Sequence, residues 1–299
     1  MKILISGASG FIGKHLCESL FRDDHELVGL TRSKNTLAPI NNLFTTISEW
    51  DGRSLPTSGN VIDGCDVIIN LAGESIRGYW TKGKQDTLRS SRLLATRALV
   101  NAFKPAGDDL PLLISASATG FYGDRGEEKL TEQSIAGNSF LSGLTSDWEK
   151  EALRFRNSLE NVSLLRFGVV LGEKGGLVAG LKPIYKLGLG GTLGKGNQWW
   201  PWIHIDDVVE IVKFVIGRKL TGPVNVVSPS PERQKPFSQK LAKHFGRPNI
   251  FTVPERMIKI AAGGLSEEML SSRNVIPEKL ILNQYQFKYP DLNSALEAL

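Results

Sequence analysis

The amino-terminal stretch "MKILISGASGFIGKHLCESLFRDDHELVGLTRSK", residues 1–34, decides the fold. "KILIS" is a short apolar run with strand character, "FIGKHLCESLF" has helical period, and "HELVGLT" is a second apolar run. Between the first run and the helix sits "GASGFIG", which places Gly7, Gly10 and Gly13 in a strand-to-helix turn. Such a turn needs glycine so that the backbone can approach a pyrophosphate, whose charge meets the N–H groups and dipole of the helix start. The third glycine lets helix and strand pack closely.

The same alternation continues outward. "LFTTIS", "DVIINLA", the helical stretch 81–104, "PLLISAS", a helix near 139–157 and "VSLLRFGVVLG" follow in turn. Strands that are apolar throughout, separated by helices, imply a parallel sheet covered on both faces. The expected fold class is α/β: a doubly wound parallel sheet of Rossmann type over residues 1–172, with a smaller C-terminal α/β lobe over 173–299. In that lobe "DDVVEIVKFVIG" and "PFSQKLAKHFG" read as helices and "GPVNVVS" as a strand, with some segments returning to the main sheet.

Composition sets bounds. The chain has 299 residues, 41% of them apolar, so a large core can be buried. No run of about 18 apolar residues and no secretory leader is visible, which leads to the expectation of a cytoplasmic protein outside the membrane. Cys17 and Cys65 stand in no metal-binding or disulfide spacing and read as buried thiols; no metal is expected. The net charge of +5 is dispersed among acids, which favours anionic small ligands over nucleic acid.

The end of the second strand chooses the dinucleotide. An NAD site presents an acid there to the ribose 2′-hydroxyl, whereas "GLTRSK" offers Thr31, Arg32, Ser33 and Lys34. A guanidinium pairs with a 2′-phosphate through two hydrogen bonds and stacks on adenine, so NADP(H) is the expected cofactor.

With "NLAGE" at 70–74, "ISASATGFYG" at 114–123, "DWE" at 147–149, "LLRFGVVLG" at 164–172, "WIHIDD" at 202–207 and the closing "YPDL", the chain resembles the extended short-chain dehydrogenase/reductase superfamily. Within it the likeness is to the atypical "epimerase family" branch of YfcH-like proteins, over nearly the whole length. The resemblance implies that Gly7, Gly10, Phe11, Ile12 and Gly13 hold the pyrophosphate, Arg32 and Ser33 the 2′-phosphate, and Leu71, Ala72 and Gly73 the ribose and mid-section. It sets Trp50 and Asp51 near adenine. Arg92 falls where the wider family has an asparagine facing the cofactor, and Ser117 matches the hydroxyl that bonds the substrate oxygen.

The wider superfamily then carries Tyr-x-x-x-Lys on the next helix, for proton exchange with the substrate. Registered on Glu149, "SFLSGLTSDWEKEAL" at 139–153 puts Leu141 and Thr145 at those positions, and neither is a titratable acid. The branch lacks the pair too. Tyr122, just past Ser117, is the first substitute proton donor, with Glu74 and His204 as further candidates and Trp199, Trp200 and Trp202 as pocket wall or lobe packing. Three functions stay open: an NADP(H)-dependent oxidoreductase on a small carbonyl or hydroxyl compound, a non-catalytic NADP(H)-binding redox sensor, and a nucleotide-sugar epimerase. Homodimers through the long helices are expected by analogy.

Overall fold

Alternate residues of each central strand enter opposite cores, which is what continuous apolar runs require of a sheet covered on both faces. Ile3, Ile5, Ile69, Ile114 and Leu165 join one buried cluster, while Leu4, Ile68, Leu113 and Leu164 join another. The computed structural model describes residues 1–55, 61–102, 111–155 and 160–299.

The first half runs β1 (Lys2–Ser6), α1 (Phe11–Arg22), β2 (Glu26–Thr31), a 3₁₀ stretch (Lys34–Leu43), β3 (Thr46–Glu49), β4 (Val67–Asn70) and α2 (Lys82–Ala102). It continues through β5 (Leu112–Ala118), a 3₁₀ turn (Thr119–Tyr122), β6 (Lys129–Leu130), α3 (Phe140–Leu153) and β7 (Val162–Phe167). The second half holds β8 (Val169–Gly172), α4 (Gly176–Lys186), β9 (Gly191–Leu193), β10 (Trp199–Trp200), β11 (Trp202–His204), α5 (Ile205–Arg218), β12 (Gly222–Val226) and β13 (Glu232–Arg233). It closes with α6 (Gln234–His244), β14 (Phe251–Val253), α7 (Glu255–Ala262), α8 (Leu265–Leu270), β15 (Asn274–Val275), α9 (Glu278–Leu282) and α10 (Leu292–Glu297).

The main sheet is seven-stranded, in the order β12-β7-β5-β4-β1-β2-β3, and every pairing in it is parallel. The chain winds outward from β1 in one direction through β2 and β3, then returns to build β4, β5 and β7 on the other side. The carboxyl ends of β1, β2 and β4 therefore meet at the switch point where open α/β sheets bind ligands. β12 is a segment past residue 172 that completes the sheet, and α5 packs its Val208, Val212 and Val215 into the same core as α1.

A separate second-half cluster is built on Trp202, Phe237 and Leu241, with Leu292 and Leu296 of α10 closing it. Among the described residues, no helix is long and apolar enough to cross a membrane. Cys17 and Cys65 are both buried free thiols, and burial pushes them up to about 12 and about 11 respectively.

Candidate functional site

The glycine turn is shaped for a ligand that meets main chain. Gly7 has φ +74, and a Cβ there would stand 2.6 Å from the Leu71 carbonyl carbon and oxygen. A Cβ on Gly13 would stand 2.3 Å from Gly7 O, so the start of α1 lies flat on the turn. Gly10 is the N-cap of α1 and no side chain caps it, which leaves the first N–H groups of Phe11 and Ile12 free to meet an anion. These features fit a pyrophosphate. Beside them Asn70 pins the β4 turn: its side chain accepts from Ser6 Oγ at 2.8 Å and from Ala72 N at 3.2 Å, and donates to Thr96 Oγ1 at 2.9 Å.

At the end of β2, Thr31 and Ser33 shape the loop. Thr31 Oγ1 lies 2.8 Å from Thr36 Oγ1, and Thr36 Oγ1 donates to Ser33 O at 2.7 Å. Arg32 projects from this knot with its side chain 82% exposed. It reaches across the glycine turn to the β4 side, where Glu74 Oε2 lies 4.0 Å from its Nη1. Glu74, expected as a nicotinamide-side acid, thus lies within ion-pair reach of the end of β2. Trp50 is buried in the core with Leu30, and Asp51 caps its own loop by accepting from Arg53 N and Ser54 N at 2.8 and 3.1 Å.

Ser117 and Tyr122, expected at the substrate oxygen, both have buried polar partners. Ser117 is 3% exposed, and its Oγ donates to Glu149 Oε1 at 2.6 Å. Tyr122 is 0% exposed; its hydroxyl donates to Asn225 Oδ1 at 2.6 Å and accepts from Arg166 Nη1 at 2.9 Å. Burial pushes the phenol up to about 12, with Arg166 pulling the other way, so it is a poor source of protons at neutral pH.

Arg166 is the hub. Its Nε and Nη2 donate to the two oxygens of Glu149, both at 2.8 Å, and its Cζ lies 3.6 Å from the centre of the Phe121 ring. Burial works against its charge and the Glu149 carboxylate more than offsets this. Both hydroxyls are held in one buried network around Arg166 and Glu149.

Nor does α3 supply a replacement. Thr145 is buried, its Oγ1 donating to Leu141 O at 2.7 Å, and Leu141 packs beside Gly120. His204 caps α5: its Nδ1 accepts from Asp206 N at 3.2 Å and its ring lies against Tyr289. Burial lowers its pKa. Trp200 and Trp202 pack the lobe, Trp202 Nε1 donating to Ser230 O at 3.0 Å and Trp200 Nε1 to Met269 O at 3.2 Å, whereas Trp199 Nε1 donates to Glu127 Oε2 at 3.0 Å.

Arg92 braces the β4 turn from behind. Its Nη1 donates to Leu88 O and its Nη2 to Glu74 O, both at 3.1 Å, and the guanidinium lies 3.2 Å from where a Gly73 Cβ would stand. Burial lowers it to about 10. Arg92, expected among the cofactor-binding residues, thus holds the turn at Gly73 and Glu74.

Two cations escaped the sequence reading. Lys84, in the first turn of α2, lies 3.3 Å from Glu74 Oε1. Arg77, in the loop after Glu74, donates to Gly176 O at the start of α4 and so ties the two rims of the crevice. Neither belongs to a motif; each is recognisable only once β4 and α4 are placed.

Residues 3–227 match the NAD dependent epimerase/dehydratase family, and residues 253–299 match DUF1731, a domain of unknown function. The chain is 35% identical over 301 residues to epimerase family protein YfhF of Bacillus subtilis (strain 168), covering 100% of this chain and 98% of the relative.

Among solved structures it superposes on human epimerase family protein SDR39U1 (isoform 2) with NADPH at TM-score 0.86 and 28% identity, covering 100% of this chain and 98% of that one. UDP-glucuronic acid 4-epimerase from Bacillus cereus, in complex with UDP-glucuronic acid and NAD, shares the fold at TM-score 0.77 and 20% identity, covering 100% and 97%.

Proposed function

The chain belongs to the NAD-dependent epimerase/dehydratase family, and from that premise we propose that it binds NADP(H) and passes hydride only to acceptors that need no acid from the protein. The observation that carries this reading is an asymmetry. The glycine turn, the free start of α1 and the exposed Arg32 form a complete dinucleotide end, while Ser117 and Tyr122 are locked in the Arg166–Glu149 network. The human relative crystallised with NADPH supports the choice of coenzyme.

When bound, the nicotinamide supplies hydride. The chain's own groups hold and orient: main-chain N–H groups at Phe11 and Ile12 meet the pyrophosphate, and Arg32 meets the 2′-phosphate. The Leu71–Gly73 turn, braced by Arg92, forms the floor. Proton transfer by a placed side chain is worth about two to four powers of ten in rate. Without it, ordinary ketones react slowly, whereas quinones take hydride and then draw their proton from water. Epimerisation, which needs a base at a sugar hydroxyl, is the least supported of the three functions.

A second reading, NADP(H) binding without turnover as a redox-state sensor, draws on the same buried hydroxyls. The two are separated by following NADPH absorbance against ketones, aldehydes and quinones. Oxidation with quinones and not with ketones supports hydride transfer without a protein acid. Tight NADPH binding with no oxidation by any acceptor favours the sensor, and rapid ketone reduction refutes the absence of a proton donor.

A further inference from the structure

Glu74 is a carboxylate set among cations at the phosphate end of the crevice. Its main chain is fixed to α2: Glu74 N donates to Ser91 Oγ and Glu74 O accepts from Arg92 Nη2, both at 3.1 Å. Its carboxylate meets Lys84 Nζ at 3.3 Å and Arg32 Nη1 at 4.0 Å. The two contacts differ in kind. Lys84 is on the same side of the crevice and only 24% exposed in its side chain, whereas Arg32 comes from β2, across the glycine turn, and is 82% exposed.

We propose that Glu74 is an internal competitor for the coenzyme's 2′-phosphate: its carboxylate holds the seat between Arg32 and Lys84 and yields Arg32 to the incoming phosphate. In this way it sets the affinity and the preference for NADP(H) over NAD(H). The inference rests on the reading of Arg32 given under Proposed function.

The chemistry favours the exchange. A carboxylate offers one charge, whereas a phosphomonoester near neutral pH offers about −1.5 to −2 with three acceptor oxygens, and a guanidinium pairs with it through two parallel bonds. An exposed ion pair at 4.0 Å is worth little, so Arg32 leaves Glu74 easily. Glu74 itself cannot follow, because both ends of its peptide are tied to α2. It stays beside the phosphate as a fixed negative charge, half-shielded by Lys84, and lowers the affinity for the phosphorylated coenzyme alone.

The test titrates NADPH and NADH, by coenzyme fluorescence at low ionic strength, into the native protein, Glu74→Gln and Glu74→Asp. Glu74→Gln keeps the shape and removes the charge; NADPH then binds about three- to tenfold more tightly, while NADH changes by less than about twofold. Glu74→Asp keeps the charge on a shorter arm and gives an NADPH affinity between the native and Gln values. Equal or weaker NADPH binding by Glu74→Gln overturns the proposal, because Glu74 is then a bystander or a coenzyme ligand. Native protein that binds NADH as tightly as NADPH overturns the Arg32 reading and this proposal with it. Native preference for NADPH without tightening in the variant overturns the proposal alone.

Discussion

Ser117→Ala distinguishes a strut from a catalytic hydroxyl. The change deletes a donor that is 3% exposed and sits 2.6 Å from Glu149 Oε1. A hydrogen bond to a charged group contributes about 1.5–3 kcal/mol. Glu149 keeps both bonds from Arg166, at 2.8 Å each, so the carboxylate is not abandoned and the loss falls toward the lower bound, about 1.5 kcal/mol. At about 2–4 °C per kcal/mol for chains approaching this size, the melting temperature drops by about 3–6 °C.

The assay is urea unfolding followed by tryptophan fluorescence, run beside NADPH titration and NADPH oxidation with a quinone. Stability falls by that amount, coenzyme affinity stays within about twofold, and oxidation continues. Combining Ser117→Ala with Glu149→Gln gives a coupling energy of about 0.5–3 kcal/mol, as expected of residues in one network. A stability loss under about 0.5 kcal/mol together with a hundredfold loss of oxidation refutes the reasoning, since the hydroxyl would then face the acceptor.

Two further outcomes follow from the same geometry. Arg32→Ala weakens NADPH by about tenfold to a hundredfold and NADH by less than about threefold, measured by calorimetry; equal losses reject the 2′-phosphate assignment. Glu132 is 5% exposed, and burial raises its carboxyl above the ordinary glutamate range, while donors from Asn225 N and Lys279 N pull it down. A carboxyl raised in the folded state stabilises fully below its unfolded pKa and loses that contribution as pH rises through the folded value. Glu132→Gln therefore flattens the decline in stability from about pH 4.5 upward, which urea midpoints at pH 4 to 7 check; an unchanged slope removes Glu132 as its cause.

Legibility in the sequence divides along the range of the interactions. The glycine turn was readable because everything that defines it lies within one strand-turn-helix, from Lys2 to Arg22. The parallel sheet covered on both faces followed from apolar runs alternating with helices, and the basic end of β2 from four consecutive letters. Ser117 was unreadable because its meaning depends on Arg166, its register partner on β7, and on Glu149, 32 residues away on α3. Tyr122 depends on Asn225, 103 residues away on β12. Period-two alternation says only that Ser115 and Ser117 share a face, not what that face meets.

A signal was nevertheless present. Arg166 in "VSLLRF" and Asn225 in "GPVNV" are polar residues inside strands otherwise buried, and Glu149 sits on the inner face of α3. Charged groups in such places are seldom fully buried unless paired, so each demanded a partner of matching chemistry. Pairing arginine with glutamate, and asking which nearby hydroxyls could satisfy the rest, would have drawn Ser117 and Tyr122 into the network. The same network carries Glu132, which accepts from Asn225 N and from Lys279 N at the start of α9. Asn225 Nδ2 in turn donates to Ile276 O. Polar groups at the ends of β5 and β7 thus join the sheet to the carboxyl-terminal segments. A side chain held by two such partners cannot also swing toward a substrate, so anchoring those segments and offering a proton are competing uses of the same residues.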